Sequence, residues 1–221
     1  MSTPRRVLSR GARLFAAIVI VMRYLIGIDE AGRGPLAGPV AVGAVMVPEG
    51  FDWRLLPGVR DSKQLRPQVR DRVFAEMETL ARRGKLSFAV RFSSSEMIDS
   101  FGIARAVRRA LVCALDELKA DPAECSVLLD GSLYAPREFV EQRTIIRGDE
   151  TEPVISLASI AAKVLRDRRM EKLAVEYPQW GFDVHKGYGT LEHRRVIARI
   201  GLSDIHRASF CTRLRIPSHT V

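Results

Sequence analysis

A chain of 221 residues with 47% apolar side chains can bury the core of one ordinary domain, which excludes disorder throughout. Its 35 Lys and Arg against 26 Asp and Glu favour a polyanionic partner. However, Arg5, Arg6, Arg10, Arg13 and Arg23 supply five of the nine excess charges within an acid-free first 25 residues, so charge alone argues weakly. Cys113, Cys125 and Cys211 show no paired spacing and no Cys-x-x-Cys unit, which points away from disulfides and zinc and towards a reducing, cytoplasmic setting.

At the start of the chain, the basic segment Arg5–Arg13 runs into the apolar stretch Leu14–Met22. The outline is that of a signal or transit peptide, but the apolar run is too short to span a membrane. Residues 1–21 are expected to form a loosely ordered extension, or to precede a natural start at Met22, with one catalytic domain over 22–221. No membrane partner is expected, and a monomer is the default because no apolar surface helix demands a second copy.

The first regular element predicted is a buried strand, Tyr24–Ile28, ending in the adjacent carboxylates Asp29 and Glu30 and then Gly32-Arg33-Gly34. Two bare charges at the end of an apolar run require a counter-charge, and the flanking glycines allow peptide N–H groups to approach a ligand closely. The strand is expected to end or twist at the two acids, since their side chains would otherwise alternate sides. Turns at Gly34-Pro35 and Gly38-Pro39 lead to a second apolar strand, Val40–Val47, antiparallel to the first. Asp61-Ser62-Lys63 precedes a helix from about Pro67 with Val69, Val73, Met77 and Leu80 on one face. Leu86, Phe88, Val90 and Phe92 alternate with polar or small residues, the period of a half-buried third strand.

Ser93–Glu96 offers a capping-box pattern before one long helix reaching about Lys119. Ser126–Leu129 then reads as a buried strand ending in Asp130, parallel to the first because a helix separates them. A short strand at Arg143–Ile146 leads to Gly148-Asp149, and a helix follows over Pro153–Glu176 with small residues crowded into its first half. The glycine-punctuated loop His185–Thr190 enters a last regular helix, capped by Thr190 and stopped by Gly201. Residues 186–221 carry seven Lys and Arg against two acids.

Asp29, Glu30, Asp130 and Asp149 thus stand at or just beyond apolar strand ends. Oxygen-only donors of this kind suit Mg²⁺ or Mn²⁺, and two such ions suit phosphodiester hydrolysis. Any one of these acids alone reads more simply as a turn or helix cap. Likewise Lys63 and Lys163 read as solvated lysines and Ser159 as a hydroxyl bonded to its own helix. Tyr188, between two glycines in a basic loop, is better placed to stack on a sugar or base than to fill a core.

Six ordered segments resemble the type 2 ribonucleases H, the ribonuclease HII family. They are Asp29–Gly34, Asp61–Lys63, Leu128–Gly131, Gly148-Asp149, Ala158–Val164 and His185–Thr190. The resemblance covers about Met22 to Phe210. It implies an α/β, ribonuclease H-like fold, with a five-stranded mixed sheet flanked by helices and a helical C-terminal portion. It also implies cleavage of the RNA strand of RNA/DNA hybrids and incision 5′ to single ribonucleotides in duplex DNA, leaving 3′-hydroxyl and 5′-phosphate ends. Carried over by position, the metal-binding, catalytic acids are Asp29, Glu30, Asp130 and Asp149, serving a two-metal Mg²⁺ or Mn²⁺ site. Gly32, Arg33 and Gly34 would meet the 2′-hydroxyl through their backbone and Tyr188 the sugar, while Ser62, Lys63, Ser159, Lys163 and Lys186 would handle phosphates.

Two features depart from the family pattern: the arginine-rich start, and Leu157 where a smaller residue is usual. The related type 3 enzymes carry an extra N-terminal domain, for which 21 residues are too few. A non-catalytic nucleic-acid-binding module is disfavoured because clustered carboxylates repel phosphates, and a phosphate-loop enzyme lacks its Gly-Lys-Ser/Thr unit. The tail from Arg213 to Val221 carries no clamp-binding signature, so a sliding-clamp interaction is left unassigned.

Overall fold

The computed structural model describes residues 23–57, 59 and 66–214. The expected extension over 1–21 lies outside them. Five strands form one mixed sheet in the order β3-β2-β1-β4-β5. In chain order these are β1 (Tyr24–Ala31), β2 (Val40–Pro48), β3 (Ser87–Ser93), β4 (Cys125–Asp130) and β5 (Gln142–Ile145). The first three pair antiparallel as a meander; β4 pairs parallel to β1, and β5 parallel to β4. The helices are α1 (Pro67–Arg82), α2 (Ser95–Phe101), α3 (Ile103–Leu118), α4 (Gly148–Thr151), α5 (Pro153–Glu176), α6 (Phe182–His185), α7 (Leu191–Ile200) and α8 (Ala208–Cys211). None of the described helices is long and apolar enough to cross a membrane.

Both faces of the sheet are covered. Ile26, Ile28, Val40, Val42 and Ala44 pack with Ala106, Val107, Leu111 and Leu115 of α3 on one side. Val45 and Val47 pack with Val73, Phe74 and Met77 of α1 and Leu157, Ala158 and Ala161 of α5 on the other. The bulkier Leu157 is accommodated there without exposure.

Helix α5 lies against the backbone of the two central strands, not merely against their side chains. A Cβ at Gly27 of β1 would fall 2.3 Å from the main chain of Val154, and one at Gly43 of β2 would fall 2.3 Å from the Ala158 carbonyl oxygen. Small residues on the helix and glycines on the strands are therefore one packing solution. Gly43 pairs directly with Asp29, so this close approach brings Ser159 and Lys163 over the acidic end of β1.

Four sequence expectations need correction. Strand β1 does not end at Asp29 and Glu30; its pairing with β2 continues to Ala31, and the break comes at Gly32, whose φ is +86°. The long helix after β3 is two helices, because Gly102 at φ +80° ends α2 and starts α3. Its cap is Ser94, which accepts the Met97 N–H, while Ser93 is buried and donates to the Ala106 carbonyl. The alternation in β3 misjudged Phe92, which is 42% exposed, while Ala89 is buried against α3. An outer strand covered on both faces carries no single apolar period.

Replacing Gly43 with Ala is expected to force α5 off the sheet and cost about 1–3 kcal/mol, as overpacking does. The check is the fall in denaturant midpoint relative to wild type.

Candidate active site

The parallel ladder between β1 and β4 stops at the pair Ile28–Leu129, one residue before Asp29 and Asp130. Beyond that point β1 keeps only β2 as a neighbour, and a cleft of about 380 Å³ opens. Asp29, Glu30 and Asp130 line it from the sheet, Gly32, Arg33 and Gly34 from the loop after β1, and Ser159 and Lys163 from α5. Tyr188 and Arg70 complete the wall.

Asp29 is 4% exposed, and burial pushes its carboxyl up to about 8. The Ser159 hydroxyl opposes this shift, and the negative charges of Glu30 and Asp130 reinforce it. Glu30 is raised chiefly by burial, against the pull of the Arg33 guanidinium 3.1 Å away, and Asp130 adds to the rise. The other Glu30 carboxylate oxygen, Oε2, is buried with no hydrogen-bond partner. Asp130 accepts the Gly148 N–H at 2.7 Å, which fastens the end of β4 to the start of α4. Asp149, the next residue, is fully buried in α4 and does not line the cleft. Three of the four acids predicted from sequence therefore share one surface, and the fourth does not.

Among the described residues, no group of three or more His, Cys, Asp or Glu closes into a ready-made metal cage. The chemistry of the wall nonetheless fits a hard divalent cation. Its donors are all oxygen, one buried carboxylate oxygen lacks a partner, and neighbouring negative charge raises the proton affinity of Asp29 and Glu30.

The loop after β1 is held from beneath by two fully buried arginines that the sequence did not single out. Arg207 donates to the carbonyls of Gly32 (2.7 Å), Arg33 (3.0 Å) and Gly38 (3.0 Å). Arg166 donates to Pro39 at 2.9 Å and packs on Gly32 so tightly that a Cβ there would fall 1.9 Å from its Nε. Burial, and for Arg207 the neighbouring Arg166 charge, lowers the proton affinity of these guanidiniums; Arg207 falls to about 9.

Tyr188 is 41% exposed, with Lys163 Nζ and the Arg166 guanidinium each 5.6 Å from its ring centre. Its carbonyl is held by a chain of histidines. His193 Nδ1 lies 2.9 Å from the Tyr188 oxygen, His193 Nε2 lies 3.0 Å from His206 Nε2, and His206 Nδ1 accepts the Ser203 N–H at 2.8 Å. The carbonyl requires a proton on His193 Nδ1, so His206 donates between the two rings and both are neutral. Burial lowers each to about 4. His185 stacks on His193 at 4.0 Å, with Nε2 against the Trp180 carbonyl and Nδ1 accepting the Gly187 N–H. The three histidines are structural.

Of the remaining sequence candidates, Lys163 is paired with Asp167 at 2.8 Å at the cleft edge. Lys186 turns into an adjoining groove, bonded to Glu171 at 2.7 Å, and does not line the cleft. Ser62 and Lys63 lie outside the described residues. Arg70 was missed, because an arginine on an amphipathic helix carries no local signal of what it will face.

This sheet order and cleft are those of a ribonuclease H-like nuclease. The model of the family described as Ribonuclease HII matches residues 26–213, and the chain belongs to that family. Ribonuclease HII of Syntrophotalea carbinolica is 42% identical over 188 residues, covering 85% of each chain. That of Ruminiclostridium cellulolyticum is 41% identical over 187 residues, 85% of this chain and 69% of its own. Among solved structures, ribonuclease H2 of Pyrococcus horikoshii aligns with a TM-score of 0.65 at 26% identity, over 84% of this chain and 93% of that one. Ribonuclease HII of Archaeoglobus fulgidus, solved in complex with PCNA, aligns with a TM-score of 0.70 at 24% identity, over 89% and 98%. The chain is thus a metal-dependent endoribonuclease of RNA/DNA hybrids.

Because His193 and His206 are neutral when folded and ordinary when unfolded, the unfolded chain binds more protons between pH 6.5 and 4. Their contribution is intact above pH 6.5 and is lost as pH falls through about 4. The denaturant midpoint is expected to drop across this window, and less steeply in His206→Gln.

Proposed function

We propose that this chain incises duplex DNA 5′ to single embedded ribonucleotides as well as cutting RNA/DNA hybrids, leaving 3′-hydroxyl and 5′-phosphate ends. One observation carries the reading. The carboxylates of Asp29, Glu30 and Asp130 share a cleft with Arg33 and Gly34, two exposed residues whose N–H groups donate to no other group among the described residues. A 2′-hydroxyl is the group that distinguishes RNA from DNA at one nucleotide, and unpaired backbone donors beside the reacting centre suit its recognition.

In this reading Asp29, Glu30 and Asp130 would hold two Mg²⁺ or Mn²⁺ ions from the cleft wall, with Asp149 assigned to the same set by its motif alone, and the ions would supply an activated water and offset charge at the leaving oxygen. The relative designated Bst ribonuclease HIII was solved with Mn²⁺ and shares the fold, with a TM-score of 0.59 at 20% identity over 97% of this chain and 73% of that one. Ser159 orients Asp29 through its hydroxyl. Tyr188 packs on the sugar, with Lys163 beside its ring. Lys163, Arg70 and Arg33 offset phosphate charge at the cleft edge. Lys186 extends the phosphate track in the adjoining groove, and Ser62 and Lys63 are assigned phosphate contacts by their motif alone. The chain acts as a monomer in the cytoplasm.

The test is cleavage of duplex DNA carrying one ribonucleotide, in Mg²⁺ and in Mn²⁺, against an all-DNA duplex. Asp130→Asn is expected to lose roughly three orders of magnitude in rate, the scale of several kcal/mol of transition-state stabilisation. Mn²⁺ should raise the melting temperature of wild type but not of Asp130→Asn. A fully active Asp29→Asn, Asp130→Asn double variant would remove the acids from the mechanism. Tyr188→Ala should weaken incision at a single ribonucleotide without lowering the melting temperature, and wild-type incision would remove Tyr188 from the site.

A further inference from the structure

The loop Gly32–Gly34 has no regular pairing of its own, yet its peptide orientation decides what it can recognise. A trans peptide holds its C=O and N–H on opposite sides of the chain, and there are no cis peptides among the described residues. Arg207 draws in the carbonyls of Gly32 and Arg33, which belong to the two peptides whose N–H groups are those of Arg33 and Gly34. The same guanidinium that fastens the carbonyls below therefore turns both N–H groups the other way, onto the exposed surface that lines the cleft. We propose that Arg207 is the positioning residue for ribonucleotide recognition, fixing the Gly32–Gly34 peptides so that Arg33 N–H and Gly34 N–H meet the 2′-hydroxyl.

Three features separate this from an ordinary buried staple. All three side-chain hydrogen bonds of Arg207 among the described residues go to the Gly32–Gly38 loop, and the one to Gly38 fixes the far end of that loop. A carbonyl that accepts from a cation also polarises its peptide, making the opposite N–H a stronger donor. Finally, Arg207 is next to His206, whose ring holds the Tyr188 carbonyl through His193. Backbone bonds tie the same segments together: Arg207 N–H donates to Leu36, Leu36 N–H to Gly187 and Gly38 N–H to Ile205. The Ser203–Arg207 segment thus sets the spacing between the glycine loop and the tyrosine, the two sides that would grip one sugar. Lysine cannot replace this geometry, because one ammonium lacks the planar fork that reaches separate carbonyls.

The inference rests on the proposed reading of the cleft as a ribonucleotide site, so the experiment reads binding selectivity. Dissociation constants are measured in Ca²⁺ for two duplexes identical except for one ribonucleotide, using wild type, Arg207→Gln and Arg207→Lys. Wild type should prefer the ribonucleotide duplex. Arg207→Gln should lose roughly 10- to 100-fold of that preference, the cost of misplacing a recognition group by about 1 Å, while holding the all-DNA duplex as wild type does. Arg207→Lys should fall between them. Arg207→Ala with methylguanidinium should recover part of the preference lost without it, and this pair together with Arg207→Lys supplies the comparison if Arg207→Gln does not fold. A retained preference overturns the assignment, as does a parallel loss for both duplexes, which a purely structural role gives. A wild type without preference would instead overturn the underlying reading of the cleft.

Discussion

The backbone contact between α5 and the two central strands is the constraint on which the rest of the molecule depends. Gly27 and Gly43 have no side chains because the helix main chain occupies that space. Bulkier residues there would lift α5 and carry Ser159, Lys163 and Arg166 away with it. Since Gly43 is the partner of Asp29 in the β1–β2 ladder, the closest helix–sheet approach and the acidic strand end coincide. Core packing and placement of the cleft are one arrangement.

Charge is distributed in two layers around the β1 loop. Above it lie Asp29 and Glu30, whose proton affinity is driven up by burial and by neighbouring negative charge. Below it lie two arginines with lowered proton affinity, satisfied almost entirely by carbonyls. Buried charges without partners are costly, and each layer meets this differently. The arginines draw on backbone dipoles: each Arg207 nitrogen donates to a carbonyl, whereas Arg166 bonds Pro39 and Ala37 and leaves Nη1 buried without a partner. On the acid side Glu30 Oε2 has no donor, and an unmet negative charge is what takes a cation.

The sheet order was readable because its strands are apolar runs separated by recognisable turns or a helix, which fixes antiparallel and parallel pairing. The acids were readable because Asp29 and Asp130 end such runs. The α2–α3 break was less visible, since apolar spacing continues across Gly102 and only its left-handed backbone interrupts the helix. Asp149 was assigned by motif, but its burial follows from α4, a single turn that no periodicity announces. Arg166 and Arg207 were illegible for a general reason. A basic residue is expected at the surface, and only three-dimensional proximity to a loop rich in free carbonyls makes an interior site favourable for it.

The bonds from Arg207 to Gly32 and Arg33 span 175 and 174 residues of chain. Chains emerge from the ribosome in order, so the sheet meander, the acidic strand ends and α5 can all assemble before Arg207 exists. In the proposed reading, discrimination between ribose and deoxyribose would then be added to a hydrolytic scaffold that is already assembled, by a segment made after the strands and α5.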